Sequence, residues 1–451
     1  MKILIKILYN NMMFKVQKNR LKVSKEEYIF LKTLCRKSKD LYNQTLYQTR
    51  QHFFNCGEFL NYTKAYDILK TNECYQTMPS DPAQQIMKIV ERDFRSFFGL
   101  LQKKKAGNYN RKANLPRYKH KDSYSLLIFP IRKNQNKEYF VLSVPKDMQK
   151  EVGFKKFKYP IPKNVIGKEI KEVRILPKNN AKFFEIEFVY QTEGEKHDLN
   201  QDHTLAIDVG VTNFATCLDM KSGFSFILDG KEIKSINRFF NKTKAHLQSI
   251  LDHQKLKWSQ RLSNMSYRRD RQLNEYMNQY CNLIVQYCLL NKVGHICVGE
   301  GWTAQNGCNL GRRNNQNFTQ IPFGKFVQKL KAKCEYYGIR FETIQEAYTS
   351  KCDHLANEPM CHQEKYLGKR IKRGLFRSST GIILNADVNG ALGIGIKCTG
   401  NRDLISRLNS GVVTTPCRIR IGAIRQSSAK GLLIQTKPLV QFERSYGEAK
   451  N

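Results

Sequence analysis

Acidic residues are scarce: 39 Asp and Glu stand against 77 Lys and Arg, a formal net charge of +38. That excess repels itself in a compact state unless a polyanion accompanies the fold. Long apolar runs are also missing, and none approaches the roughly 20 residues of a spanning helix. A membrane surface is therefore a poor polyanion here, the more so because the basic residues are spread over the whole chain. Nucleic acid fits better, with phosphate contacts supplying affinity and base contacts little of it. Paired cysteine spacings are absent too. The 13 cysteines are odd in number and scattered, and no small-residue cleavage site follows the short basic and apolar start, 1–8. Both features argue for a reducing cytosol; Met12 and Met13 are alternative starts. At 451 residues the chain is long enough for two or three domains.

Against this basic background a few acids occupy costly positions. Leu205-Ala206-Ile207-Asp208-Val209-Gly210-Val211 is a short apolar run that ends on an aspartate and turns into a second strand-like run, 214–218. A carboxylate at the end of a buried strand is unfavourable unless something offsets its desolvation, and a divalent cation does so. A capping aspartate in a hairpin turn explains the same stretch equally well. Two further acids shift the balance. His295-Ile296-Cys297-Val298-Gly299-Glu300 is a second buried-strand pattern closing on an acid, and Asn385-Ala386-Asp387-Val388-Asn389-Gly390-Ala391 opens a small-residue helix with a third. Strand-Asp, strand-Glu and helix-Asp, in that order, form the metal site of an RNase H-like nuclease. Three such carboxylates can hold two Mg²⁺ ions, hard cations that take oxygen ligands, and such a pair serves phosphodiester hydrolysis.

The rest of the chain divides around these acids. A strand is expected from Phe14 to Val23. Ser24 followed by Glu27 is a capping-box pattern opening a helix to about His52. Helices follow near 62–69 and from Pro79-Ser80-Asp81-Pro82 onward, the last with apolar residues at helical spacing from Ile86 to Leu101. Lys103, Lys104, Lys105, Arg111 and Tyr118 lie in a basic stretch interleaved with aromatics, 103–121, which reads as phosphate binding with base stacking or as a solvated linker. Strand-like runs between 123 and 191 suggest a compact β-barrel, to which the strand at Phe14 can belong. After Asp202, strands and helices alternate, and two long basic helices meet at a junction carrying Lys257, Arg268 and Arg269. The stretch 301–324, with Trp302, Arg312 and Arg313, reads as a lid or a plain loop.

These residues carry a resemblance. Ile207-Asp208-Val209-Gly210, Val298-Gly299-Glu300, Tyr348-Thr349-Ser350-Lys351 and the block from Asn385 to Ala391 resemble the TnpB family, insertion-sequence RNA-guided DNA endonucleases related to miniature type V CRISPR effectors. The resemblance covers nearly the whole chain. It implies a multidomain protein of α/β plus α+β class. A β-barrel wedge domain would comprise 1–24 and 123–200, with an inserted helical recognition domain at 25–122. An RNase H-like RuvC nuclease domain would follow at 201–398, and a basic tail at 399–451. It further implies that Asp208, Glu300 and Asp387 hold two Mg²⁺ ions and that a guide RNA from the transposon end directs cleavage of double-stranded DNA beside a short motif. A monomer with one RNA, in the bacterial cytosol and without membrane association, completes that expectation. A miniature CRISPR effector, a non-cleaving RNA-guided repressor and an unguided transposition accessory are the alternatives.

The family's four-cysteine zinc ribbon, here 348–382, is degenerate. Its second pair would fall in Phe376-Arg377-Ser378-Ser379-Thr380-Gly381, which has no cysteine. Cys352, His354, Cys361 and His362 remain at poor spacing for a closed tetrahedral site, so zinc is not expected. The segment then reads as a mobile basic insertion that orders only against nucleic acid through Lys369, Arg370 and Arg373.

Overall fold

The computed structural model describes residues 12–131, 138–301, 320–372, 374–409 and 415–420. The chain forms two compact units, Met1–Glu193 and Gly194–Asn451.

The first unit begins with β1 (Met12–Arg20) and a long helix, α1 (Lys25–Cys56). Both halves of the capping box are present. Ser24 Oγ accepts from the Glu27 amide at 3.1 Å, and Glu27 Oε2 accepts from the Ser24 amide at 2.8 Å. Gly57, at φ 69°, ends the helix in the left-handed conformation that glycine tolerates. Then come α2 (Tyr62–Leu69), α3 (Glu73–Gln76), α4 (Ser80–Lys105), β2 (Leu127–Pro130), β3 (Tyr139–Ser143), α5 (Lys146–Val152), β4 (Lys156–Pro160), β5 (Ile170–Lys178) and β6 (Phe183–Glu193). β1 pairs with β6, so the helical segment is inserted between strands of one sheet.

Two expectations need correction here. The sheet has the order β1-β6-β5-β2, with β3 and β4 pairing separately, and among the described residues no ladder closes it into a barrel. β1 alternates exposed and half-buried residues with no buried face, and β2 is four residues ending on a proline, which cannot donate to a ladder. Nor are helices and strands two domains, because Phe30, Leu34, Ile86 and Phe94 share one hydrophobic core with Ile175, Phe184 and Phe188.

The second unit is built on a six-stranded mixed sheet. Its elements are β7 (Asn200–Val209), β8 (Asn213–Asp219), β9 (Ser225–Asp229), α6 (Lys231–His253), α7 (Gln260–Leu290), β10 (Val293–Gly299), α8 (Phe323–Tyr337), β11 (Arg340–Ile344), β12 (Lys369–Lys372), β13 (Leu375–Arg377), β14 (Ile383–Asn385), α9 (Ala386–Thr399), α10 (Asp403–Asn409) and β15 (Cys417–Ile419). The strand order is β11-β10-β7-β8-β9-β15. β7, β8 and β9 are antiparallel, while β10 runs parallel to β7 and β11 parallel to β10. Side chains alternate across β7. Leu205, Ile207 and Val209 join a core with α7 and α8, whereas Ala206 faces Ile394 of α9 on the opposite side.

The unit does not end at 398. Leu404, Ile405 and Leu408 of α10 are buried with Leu392 and Phe376, and β15 extends the sheet by pairing parallel with β9. Part of the expected tail is therefore core and sheet edge.

Candidate active site

Because β7 and β10 are parallel neighbours, with Val298 opposite Ile207, they deliver their C-terminal acids to one edge of the sheet. Asp208 lies one residue before the end of β7 and Glu300 one residue beyond β10. Asp387 sits in the first turn of α9. The Asn385 side chain caps that helix by accepting from the Asp387 and Val388 amides, and the positive helix end favours the carboxylate. Asp387 Oδ2 also accepts from Asn213 Nδ2 at 2.6 Å. Glu300 Oε1 accepts from Thr343 Oγ1 at 2.6 Å.

The Asp208 carboxyl is pressed against α9. A Cβ at Gly390 would fall 2.7 Å from its Oδ2, so only glycine leaves room. Burial pushes the Asp208 carboxyl well above the ordinary range; the negative charges of Glu346 and Asp387 raise it further, and Arg370 partly counters them.

Glu346 was not singled out from the sequence. It follows β11 by two residues, and its carboxyl lies over Gly299 and Gly301, the two glycines that flank Glu300. A side chain at either glycine would overlap it. Burial raises its pKa, the Glu300 charge adds to that, and the Gly301 amide opposes it. Its Oε1 is buried and has no hydrogen-bond partner among the described residues. The acid lies in a loop, outside any periodic pattern. The available hint was the Gly-Glu-Gly triplet at 299–301, which makes room for a second carboxyl.

The donor types suit Mg²⁺, while among the described residues no three of these carboxylates bring ligand atoms within 4.8 Å of one another. Four carboxylates supply hard oxygen ligands. Two of them are buried against like charge, and one buried oxygen is orphaned, an arrangement that a cation relieves.

The basic residues divide into exposed and committed ones. Lys103, Lys104 and Lys105 form the exposed last turn of α4, and Arg111 and Lys257 are exposed. Tyr118 is exposed with the Arg50 guanidinium 5.1 Å from its ring centroid. The end of the basic stretch is no free linker, because Asn43 clamps Lys119 through both its amide and its carbonyl. Arg268 is exposed, but Arg269 is structural. Its guanidinium donates to Asn237 Oδ1 at 2.8 Å and to the Gln320 carbonyl at 3.1 Å and lies over Phe240. Lys369 and Arg370 are exposed on β12. Arg373, Trp302, Arg312 and Arg313 fall outside the described residues.

The degenerate ribbon is folded, contrary to the mobile insertion expected from the sequence. β12, β13 and β14 form an antiparallel sheet, and Leu355 and Phe376 join the core beneath α9. Asp353, fully buried, stands at its centre. Asp353 Oδ2 accepts from Ser378 Oγ (2.9 Å), the Ser379 amide (2.6 Å) and Ser379 Oγ (3.0 Å). Glu358 accepts from the Asp353 and Leu367 amides at 2.6 and 2.9 Å. Cys352 Sγ donates to the Pro359 carbonyl, and His354 Nε2 bonds the Thr349 carbonyl; Cys361 and His362 are exposed. Carboxylate hydrogen bonds thus tie together the two stretches where a ribbon's cysteine pairs would lie. Asp353→Ala should cost about 2–3 kcal/mol of local stability, the range for charge-assisted bonds left unmade. Hydrogen exchange should show it as lost protection confined to 348–385; unchanged protection there would remove Asp353 from this role.

The cysteines are not all thiols. Cys297 of β10 and Cys398 of α9 form a disulfide, with His295 Nε2 3.4 Å from Cys297 Sγ. Nothing in their scattered spacing pointed to this pair. Among the described residues no helix is long and apolar enough to cross a membrane.

A family profile described as "Probable transposase" (OrfB_IS605) matches residues 187–303, and one described as "Cas12f1-like, TNB domain" matches 323–394. The "TnpB-like protein ORF457" of Acidianus two-tailed virus is 24% identical over 412 residues, covering 82% of this chain and 83% of that protein. The chain is similar to the TnpB family. The fold is also similar to a solved one. A cryo-EM structure of a Cas12f1–sgRNA–target DNA complex superposes with a TM-score of 0.56 at 16% identity, covering 82% of this chain and 83% of that one. The second profile spans the insertion and α9 together, and the first spans the strand that carries Asp208 and the strand that leads to Glu300.

Proposed function

We propose that this TnpB-like protein is an RNA-guided DNA endonuclease that hydrolyses phosphodiesters with two Mg²⁺ ions, acting as a monomer with one RNA from its transposon end. The observation that supports this reading best is the convergence of Asp208, Glu346, Glu300 and Asp387 at one edge of a mixed sheet whose strand order suits an RNase H-like RuvC domain. Asp208, Asp387 and Glu346 would hold the metals, with Glu300 beside them. Bound Mg²⁺ would activate water and neutralise charge on the phosphate. Asn213 would fix the Asp387 carboxylate by donating to its Oδ2, as it does here. Gly390 would let Asp208 approach α9, and Arg370 would balance part of the acidic charge.

In this reading the first unit combines the wedge and recognition functions on a single core. Basic surfaces hold the guide and the heteroduplex by shape and charge, and pairing selects the sequence. A non-cleaving repressor would have no need to keep buried carboxylates facing one another. The test is reprogramming. RNA that co-purifies with the protein is sequenced, its guide portion is replaced, and a plasmid carrying the new target is offered with Mg²⁺. Cutting should follow the new guide. Cutting indifferent to the guide, or no associated RNA at all, would overturn the reading.

A further inference from the structure

Helices α6 and α7 do not close on each other along their whole length. Between them lies a cavity of about 860 Å³, with Phe240, Leu247 and Met265 among its lining and Phe239, Arg261 and Arg268 at its mouth. Among the described residues no acidic side chain lines it. Phe239 is 69% exposed. The inner face of α6 is already supplied by Ile233, Leu247 and Leu251, so Phe239 is spare to the core. The same hairpin leaves Leu256 and Trp258 exposed, alternating with Lys255 and Lys257 at its turn. Arg269 backs the cavity, its guanidinium held by Asn237 and Gln320 and stacked 4.9 Å from the Phe240 ring centroid.

An open aromatic face beside the exposed Arg261 and Arg268, with no acid in its lining and Asp270 drawn to Arg269 behind it, suits a ligand that is both planar and anionic. A peptide or a second copy of this chain would bring its own acids or apolar side chains but no repeating planar anion. In a duplex the bases are already stacked on one another, so only an unpaired base offers a face to Phe239. We propose that the cleft between α6 and α7 binds a single-stranded nucleic-acid segment, one base stacking on Phe239 and adjacent phosphates held by Arg261 and Arg268. This rests on the nucleic-acid reading above and adds to it a specific site. Stacking platforms flanked by basic groups are the usual means of holding single strands without reading sequence.

The test uses the full-length protein carrying Asp208→Ala, so that bound nucleic acid is not cut. Single-stranded RNA containing 4-thiouridine and single-stranded DNA containing 4-thiothymidine are crosslinked in parallel, and the peptides are mapped. The expected result is a crosslink within 231–272 in at least one arm, and the stronger arm identifies which strand occupies the groove. Phe239→Ala should weaken that strand's binding about tenfold, and Phe239→Tyr should restore it. Arg261→Ala with Arg268→Ala should lower the salt slope by about 2. Phe239 is exposed, so its loss does not threaten the fold. If wild-type binding is tight, yet all three variants bind within about twofold with an unchanged slope, the groove is not the site and the nucleic-acid reading survives. If wild type binds neither strand, both fail. A concentration-dependent dimer of the RNA-free protein that Phe239→Ala abolishes would assign the groove to a second copy and overturn the proposal.

Discussion

Asp208→Ala is expected to lower single-turnover cleavage by roughly three orders of magnitude or more, because the several kilocalories that a metal pair contributes to the transition state convert at about 1.4 kcal/mol per tenfold. Guide and target binding should change less than about threefold, since this carboxyl is buried against α9 and Glu346 rather than facing a phosphate-binding surface. Glu346→Gln is the sharper experiment. It keeps the volume over Gly299 and Gly301 while removing one of the two charges that add to the effect of burial on the Asp208 carboxyl. Cleavage should fall steeply at low Mg²⁺ and recover in part as Mg²⁺ rises, and a direct titration with Mn²⁺ followed by electron paramagnetic resonance should show a weaker site. Glu300→Gln, made alongside, ranks the two acids. A Glu346→Gln protein that binds metal and cuts like wild type at all Mg²⁺ concentrations would remove Glu346 from the site.

The pH dependence follows from the same shifts. Asp208 and Glu346 hold their protons more tightly folded than unfolded. In chelator, these groups therefore favour the fold at mildly acidic pH, and that contribution is lost as pH rises through their elevated values. Protons and metal compete for the same oxygens, so metal affinity and cutting should fall on the acid side earlier than ordinary carboxylates would dictate.

Binding of RNA should be steeply salt-dependent. A protein that neutralises about 6–10 phosphates loses roughly 10³–10⁵ in affinity between 50 and 200 mM salt, and the exposed Lys103, Lys104, Lys105, Lys257, Lys369 and Arg370 are enough in kind to reach that range. The protein expressed alone should carry host RNA or be poorly soluble, given the net charge of +38. Filter binding across a salt series gives the slope directly. A slope near zero, with clean RNA-free protein at low salt, would mean that the positive charge serves something other than phosphates.

The residues explain which features were legible in advance. Ser24 with Glu27, and Gly57 beyond, announced α1 because capping is local chemistry read within a few positions. Asp208 and Asp387 were legible because each marks the edge of a recognisable apolar element. Glu346 was not, since its partners are glycines 45 and 47 residues away and its loop carries no period. The Asp353 network links residues 25 and 26 positions apart, and no local pattern replaced the missing cysteines. β15 is three residues long, too short to show alternation, and its place in the sheet comes from pairing with β9. Closure into a barrel was not legible, because strand propensity does not say whether a sheet closes.

The bond between Cys297 and Cys398 gives the second unit a closed covalent ring of 101 residues of separation, containing α8, β11 and the whole insertion. A single peptide cut within that ring does not divide the chain. The fragment carrying Asp208 and Glu300's own strand remains joined, through sulfur, to the helix that carries Asp387. Nicked and intact molecules would then migrate as one species until a reductant separates them.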